Sequence, residues 1–587
     1  MHKSQIILYS ILAFAMLQLA VFSESQSIGT AYIYAPAVVT SINKGTITTF
    51  YLNVTYGDGS VAIFGPSSVG NSTLESAQTA ANYASQYLGL NEKDYNFTYT
   101  ISDSNVSVSG PSGGLAFTLL AISVLSHTPL LHDFTLTGTI SQSGAVGQIG
   151  GVYDKIAAAQ AHNLAFGIVP YAENGSFEDL LYYLVQQKFD MPLVEVSNVS
   201  EALAYASGAK QPTPLSYLIS PNYNLDKLPS ARLSCEACNE SAFLNLTDFT
   251  FNFTNSTIAE ISNKYLQAKS MFNSELSNYS EILGKGYMYT SADLSFLAFT
   301  QAFLLANANN INIKSASAII RNVSNYCSSL TPPQMTNTNY EYIIGGELRQ
   351  SWGNITSASA AAILNASDTS DGIAESIYTA GEAYGWCAAA GQMYSIASSM
   401  SGVPVETSLS LRQDAEKAIS SSSRYGASLY TQSAADLYNS GYYAPALYDA
   451  EYASVFDNPI IDNYTPSQML NKTRSNISNS TYGIWPNQFA LSSLFYLNEW
   501  NITDNQSYLQ EAYTMSALAL SLSNSNKIIN STFIAVPYNQ TIAPNALAAI
   551  NQKIEQLYIL MFVIVVILFM ILIILLLMLL GEKRYKK

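Results

Sequence analysis

Ionisable side chains are scarce in this chain of 587 residues. Charged residues make up only 11% of it, and acidic residues outnumber basic ones by 41 to 25, which gives a formal net charge of −16. A nucleic-acid-binding protein concentrates positive charge against the phosphate backbone. The balance of charge therefore argues against nucleic acid as a partner.

Histidine and cysteine are also rare. The four histidines all precede residue 163, and the four cysteines are Cys235, Cys238, Cys327 and Cys387. A structural zinc site needs four converging ligands, and histidine is missing from the part of the chain that holds the cysteines. Disulfides are the preferred interpretation, with a pairing that the spacing leaves open. No metal or other cofactor is expected.

A phosphate-binding loop of the Walker type is missing from the sequence as well. No Gly-x-x-x-x-Gly-Lys-Ser/Thr segment occurs, and Gly284-Lys285-Gly286 lacks both the preceding glycine and the following hydroxyl. ATP hydrolysis by that route is excluded, so any activity is expected to be independent of ATP.

A serine and a lysine are the most informative residues that are present. Ser112 follows Gly110-Pro111 and precedes the apolar run 115–125, which predicts a buried helix with the serine at its start. Lys155 comes 43 positions later, in the alanine-rich segment 152–161, which predicts a second helix. A lysine deprotonates a serine only where burial lowers the pKa of its amine. Unpaired backbone N–H groups at the helix start would face a developing oxyanion.

These two residues resemble the catalytic positions of the Lon protease family. That family carries its nucleophile in Gly-Pro-Ser-Ala-Gly and its lysine at the end of Gly-Gly-Leu-Lys-Glu-Lys, with the same separation. Ser112 and Lys155 match the two positions. The resemblance implies a Ser/Lys catalytic dyad, supported by Gly110 and by Gly113, which replaces the family's alanine and preserves a close backbone approach.

Further segments extend the resemblance over residues 28–205. Residues 136–140 resemble the family's Met-Thr-Gly-Glu-Ile strand, which implies that the Thr137 hydroxyl supports the lysine. Residues 74–81 resemble its Glu-Ser-Ala-Gln-Ala-Ala helix, and residues 166–174 resemble its closing Ile-Pro-x-x-Asn segment. The resemblance implies an α+β Lon-type proteolytic domain that acts on a protein or peptide. Lon proteases commonly form rings, so an oligomer is an open prediction.

Two departures from the family pattern remove carboxylates near the dyad. Ser109 stands where family members often have an acidic residue, and Thr139 stands where they have a glutamate. The resemblance therefore leaves the rate and the pH optimum open.

Apolar runs near both ends predict export and membrane attachment. Residues 1–26 contain an apolar run followed by small residues, which predicts a signal peptide or an N-terminal anchor. Residues 557–580 carry no charge and are long enough to span a bilayer, and the basic tail 581–587 predicts a cytoplasmic C-terminus. The intervening chain would then lie outside the cytoplasm. This organisation resembles that of membrane-anchored Lon-like proteases of archaea.

The sequence between the proteolytic domain and the apolar C-terminal run is predicted to be helical. A linker is expected over 206–215, followed by a helical extracytoplasmic domain over 216–550 that holds the protease off the membrane or presents substrate. One of its helices is predicted over 256–283, whereas the proteolytic domain is predicted to contain a strand over 134–140. Many Asn-x-Ser/Thr sequons predict a glycoprotein, and cell-surface layer proteins are expected partners.

Two functions remain open at this point. The first is a membrane-anchored, ATP-independent serine endopeptidase that cleaves unfolded or accessible proteins. The alternative is a catalytically weak or inactive cell-surface binding or scaffold protein with a Lon-like domain. A Ser/His/Asp triad using His127, His132 or His162 is supported only by proximity in sequence. Ser112, Lys155 and Thr137 together favour catalysis, because burial of a lysine has no structural benefit.

Overall fold

The structure is a computed structural model that describes residues 27–39, 44–65, 69–102, 110–216, 223–236, 238–367, 369–458 and 464–535. The predicted signal segment 1–26, the predicted membrane-spanning segment 557–580 and the basic tail 581–587 lie outside these residues. Within the described ranges, no helix combines the length and the apolar character needed to cross a membrane.

Strands and helices alternate in the N-terminal part of the chain. The strands here are β1 (Ser27–Val39), β2 (Lys44–Tyr56), β3 (Val61–Phe64), β4 (Tyr95–Ser102), β5 (Phe134–Leu136), β6 (Thr139–Ile140), β7 (Val146–Gly147), β8 (Phe166–Pro170) and β9 (Leu193–Val196). The helices are α1 (Asn71–Tyr87), α2 (Gly114–Ser126), α3 (Val152–Ala161), α4 (Phe177–Phe189) and α5 (Val199–Ala206).

Seven of these strands form one mixed sheet in the order β3-β4-β2-β1-β5-β8-β9. Strand β2 runs antiparallel to both of its neighbours, and the other strands of the sheet are parallel to one another. In β2 the side chains of Phe50, Leu52 and Val54 are buried at every second position, as the pleat of a strand requires. Strands β6 and β7 form a separate two-stranded ribbon.

Helices cover both faces of the sheet. Helices α1, α2 and α5 share a hydrophobic core with one face, whereas α3 and α4 pack on the other. Helix α3 approaches β2 so closely that a Cβ at Gly45 would overlap the carbonyl oxygen of Asp154. Helix α2 is buried from Gly114 to Val124, which agrees with its largely apolar sequence and confirms the helix predicted there.

The described residues between 240 and 535 are mostly helical, as predicted. A short pair of antiparallel strands, β10 (Val405–Thr407) and β11 (Phe533–Ala535), accompanies the helices. The helices are α6 (Glu240–Glu260), α7 (Leu266–Gly284), α8 (Met288–Ala306), α9 (Ile313–Ser329), α10 (Tyr340–Ala366), α11 (Ser370–Ser399), α12 (Leu409–Ser422), α13 (Leu429–Asn439), α14 (Tyr443–Phe456), α15 (Pro466–Asn479), α16 (Ile484–Thr503) and α17 (Gln506–Ser531).

Two predicted elements differ from the structure. The single helix predicted over 256–283 is wrong, because a turn separates α6 from α7. Ile261 and Tyr265 are both buried there, and the Ser262 hydroxyl accepts a hydrogen bond from the Lys264 N–H. The strand predicted over 134–140 is also interrupted, because Gly138 leaves the strand and its N–H donates to the carbonyl oxygen of Ser112.

One hydrophobic cluster extends from the N-terminal part into the helical part. Val152 and Leu180 belong to the same buried cluster as Phe272 and Ile377 of the helical part. Within the helical part, a disulfide joins Cys327 on α9 to Cys387 on α11, and a second disulfide joins Cys235 to Cys238. The structure thus supplies the pairing that the sequence left open.

Removal of the Cys327–Cys387 disulfide should destabilise the helical part. This bond closes a loop of 60 residues, so the double variant Cys327→Ala/Cys387→Ala is expected to lose up to about 4 kcal/mol of unfolding free energy. The Cys235→Ala/Cys238→Ala variant is the matched control, since that bond spans only three residues. Urea unfolding of both variants would test this expectation, and equal losses would contradict it.

Candidate active site

Ser112 lies in a single 3-10 turn, Pro111–Gly113, that runs directly into α2. Gly110 precedes this turn with a φ of 117°, a backbone conformation that favours glycine. A Cβ at Gly113 would lie 3.0 Å from the Phe50 ring, so the turn packs closely on the sheet. The Ser112 side chain is half-buried. The prediction of a serine at the start of a buried helix is confirmed.

Main-chain hydrogen bonds hold the serine turn against the end of β5. The Gly138 N–H donates to the Ser112 carbonyl oxygen at 3.0 Å, and the Leu115 N–H donates back to the Gly138 carbonyl oxygen at 3.1 Å. Helix α1 supports the other side of the turn. The Ser76 hydroxyl donates to the carbonyl oxygen of Pro111 and the Thr73 hydroxyl to that of Gly110, each at 3.2 Å.

Lys155 lies in α3, and its side chain is buried, with 4% of its surface exposed. Helix α3 begins after Gly151, whose φ of 74° is left-handed, and the Lys155 N–H donates to the Gly151 carbonyl oxygen. Burial disfavours the charged amine and lowers the pKa of Lys155 to about 8, although the nearby Asp371 carboxylate acts in the opposite direction. At pH 7 most of this amine is therefore still charged, and a minor fraction of about a tenth is neutral and able to accept a proton.

Thr137 connects the two residues. The Lys155 Nζ donates to the Thr137 Oγ1 at 3.1 Å, and the Thr137 Oγ1 lies 3.5 Å from the Ser112 carbonyl oxygen. Thr137 itself is 2% exposed, and its N–H donates to the carbonyl oxygen of Ile168 in β8. Within the described residues, no hydrogen bond joins Ser112 Oγ to Lys155 Nζ. Catalytic hydrogen bonds often tighten only when substrate binds.

In the part of the chain that the structure describes, no hydrogen bond joins Ser112 to any histidine of the rival triad. His127 follows the last residue of α2, and the 13 residues of that helix span roughly 20 Å from the serine turn. His132 stacks on Tyr32, with ring centroids 4.1 Å apart. His162 caps the C-terminus of α3.

Two aspartates near Lys155 were missed by the sequence analysis. Asp371, at the start of α11, accepts hydrogen bonds from the N–H groups of Val152 and Tyr153 at 2.7 and 2.8 Å. In return, Asp154 accepts from the N–H and the hydroxyl of Ser370 at 2.9 and 2.7 Å. More than 200 positions separate these partners, so local sequence patterns carry no signal for the contact.

The buried amine should destabilise the fold at neutral pH. Below pH 8 Lys155 is charged in both the folded and the unfolded state, and only the folded state loses hydration. Lys155→Met should therefore raise the unfolding free energy at pH 7 by about 3 kcal/mol, equivalent to the lowering of the pKa. Between pH 8 and 10.5 only the unfolded state remains protonated, so the wild type gains stability and the difference should shrink.

Urea unfolding from pH 6.5 to 10.5 would measure this difference. Lys93→Met is the matched control, since Lys93 is exposed, and it should leave the unfolding midpoint almost unchanged. A Lys155→Met variant that is less stable than the wild type at pH 7 would contradict the burial penalty.

Comparisons with known proteins show what the N-terminal part is similar to. Residues 39–207 match the family model of the Lon protease (S16) C-terminal proteolytic domain. Lon protease 2 of Herpetosiphon aurantiacus is 29% identical over 178 residues, which are 29% of this chain and 21% of that protein. The Lon protease of Neorickettsia sennetsu is 30% identical over 125 residues, which are 21% of this chain and 15% of that protein.

Lon protease 2 of Bdellovibrio bacteriovorus is 28% identical over 160 residues, 26% of this chain and 20% of that protein. The chain thus matches about a fifth or less of the length of these relatives. Residues 39–207, which match the family model, include Ser112, Thr137 and Lys155. In the described structure, a domain similar to the Lon protease C-terminal proteolytic domain is followed by a mostly helical region.

Proposed function

We propose that this chain is a serine endopeptidase in which Lys155 is the general base for Ser112. The family match supports a serine peptidase function. The observation that carries the assignment of the dyad is the buried Lys155 amine, which donates to Thr137 next to the serine turn. A buried amine with a pKa lowered to about 8 is matched to proton transfer near neutral pH.

The proposed reaction begins with neutral Lys155, which accepts the proton of the Ser112 hydroxyl while Oγ attacks the peptide carbonyl carbon. Backbone N–H groups of the serine turn stabilise the oxyanion of the tetrahedral intermediate. The Lys155 ammonium then protonates the leaving amine nitrogen as the C–N bond breaks, which leaves an ester on Ser112. Lys155 next takes a proton from water, the hydroxide attacks the ester, and the proton returns to Ser112 Oγ.

ATP independence and an extracytoplasmic location are part of the proposal. The sequence contains no Walker-type phosphate loop. The apolar segments 1–26 and 557–580 and the basic tail 581–587 support membrane anchoring with a cytoplasmic C-terminus. Pairing of all four cysteines supports an oxidising compartment. The substrates would be unfolded or accessible proteins outside the cytoplasm.

Loss of either dyad residue should abolish cleavage. The full chain is expected to cleave unfolded casein without ATP, and Ser112→Ala and Lys155→Ala should each lower kcat by about a thousandfold or more, since neither residue of the dyad works alone. Ser123→Ala, which changes a serine at the far end of α2, is the matched control and should retain activity. An inactive wild type, or variants as active as the wild type, would favour the scaffold function instead.

The pH dependence should report the ionisation of Lys155. Activity should rise with pH through about 8, because the base must lose its proton before it can act. Thr137→Val removes the hydroxyl that accepts a hydrogen bond from the Lys155 amine. It should lower kcat about 10- to 100-fold, which is equivalent to one hydrogen bond with the ammonium that forms when Lys155 takes the serine proton.

Thr135→Val is the matched control, because Thr135 is equally buried in β5 but its hydroxyl donates to the carbonyl oxygen of Tyr34 instead. Initial rates on a fluorogenic peptide from pH 6 to 10 would measure these effects. Equal losses in both threonine variants would contradict a specific role for Thr137.

A further inference from the structure

The first turns of α3 and α11 meet end to end, and each helix carries an aspartate that accepts hydrogen bonds from the other. Asp371 binds the N–H groups of Val152 and Tyr153, whereas Asp154 binds the N–H and the hydroxyl of Ser370. The first N–H groups of a helix lack partners within the helix, and a carboxylate there is favoured by the helix dipole. Each aspartate therefore accepts hydrogen bonds from N–H groups at the start of the other helix, across the boundary between the two parts of the chain.

The N–H groups that Asp371 binds lie immediately before the proposed base. Val152 and Tyr153 are the first two residues of α3, and Lys155 is the fourth. The two hydrogen bonds to one carboxylate fix both the rotation and the axial position of this turn. Because the Lys155 side chain projects from the same turn towards Thr137, a shift of the helix start moves the amine relative to Ser112.

Packing around this contact is continuous. The ring of Phe177 at the start of α4 lies 5.6 Å from that of Tyr378 on α11, and the Lys188 Nζ donates to the carbonyl oxygen of Ala308 at 2.7 Å. Hydrophobic side chains of α3, α4 and α11 belong to one buried cluster. A packed boundary of this kind couples the position of α11 to that of α3.

Asp371 also contributes to the charge around Lys155. Its carboxylate raises the pKa of Lys155, against the larger effect of burial. Asp154 is on the same helix as Lys155, but its carboxylate is directed to Ser370. Burial raises the pKa of the neighbouring Tyr182 in α4, and the carboxylates of Glu195, Asp371 and Glu178 add to this effect.

We propose that Asp371, from the helical region, is a positioning residue for Lys155, and that the helical region thereby completes the catalytic centre. This inference rests on the proposed peptidase function. It assigns the helical region a part in the reaction that differs from holding the protease off a membrane or presenting substrate.

The test compares Asp371→Ala and Asp371→Asn with Glu375→Gln in the full chain. Glu375 is exposed one turn further along α11, and within the described residues its side chain makes no hydrogen bond to α3, so its variant changes a carboxylate of the same helix outside the contact made by Asp371. Asp371→Ala should lower kcat about 10- to 100-fold with little change in KM, because a small misplacement of a catalytic group has an effect of this size. Glu375→Gln should match the wild type.

Asp371→Asn separates position from charge. The amide oxygen can still accept one of the two hydrogen bonds, so kcat should fall less than in Asp371→Ala. Removal of the negative charge lowers the pKa of Lys155, so the acid limb of the rate profile should move to lower pH. The same shift should appear in the rate at which a fluorophosphonate labels Ser112, a reading that is independent of peptide binding.

These measurements distinguish failure of the inference from failure of the proposed function. A wild type that is inactive, or a Ser112→Ala variant that stays active, would overturn both. An active wild type that depends on Ser112, combined with Asp371 variants whose kcat and pH profile are unchanged, would overturn only the role of Asp371. A lower unfolding midpoint with an unmoved pH profile would indicate a purely structural contact and would also overturn it.

Discussion

Burial of the Lys155 amine is the constraint that the rest of the site depends on. A charged amine loses its hydration in such a place, and a neutral amine still needs a hydrogen-bond partner. Thr137 supplies that partner at 3.1 Å. The burial itself requires α3 to lie flat on the sheet, which is achieved where Gly45 of β2 leaves room for the backbone of Asp154. The chemistry of the lysine thus follows from the close approach of one helix to one strand.

The end of β5 fixes the serine and the lysine relative to each other. Thr137 and Gly138 are adjacent, and one accepts from the Lys155 amine while the other donates to the Ser112 carbonyl oxygen. Two elements that are 43 positions apart in the chain are therefore attached to a single dipeptide unit. Because that unit follows a central strand of a mostly parallel sheet, its position is set by the main-chain hydrogen bonds of the sheet, such as that between Thr137 and Ile168.

Local patterns in the sequence were sufficient to predict the helices that carry the site. The apolar run after Ser112 and the alanine-rich run around Lys155 became α2 and α3 close to the expected bounds. The turn at 261–265 was not predictable from periodicity, because its cause is the burial of Ile261 and Tyr265 in a core built from distant segments. The contact of Asp371 with α3 was hidden for the same reason, since a pairing across more than 200 positions exists only in the folded chain.

The chain has few charged residues, and in the described ranges ion pairs contribute less than hydrogen bonds from neutral donors to buried carboxylates. The ion pairs of the described ranges, such as Arg232–Glu240, have at least one well-exposed partner and contribute little. Two buried carboxylates accept instead from neutral donors: Glu341 from the Ile484 N–H at 3.0 Å, and Asp449 from the Trp352 indole at 2.9 Å.

Bonds of this kind require a fixed direction as well as a short distance. They link α10 to α16 and α10 to α14, and through Asp371 they link α11 to α3. A pair of flexible charged side chains would tolerate sliding between helices, whereas a carboxylate that holds two main-chain N–H groups does not. The contact of Asp371 with α3 can therefore hold the helix that carries Lys155 in one position.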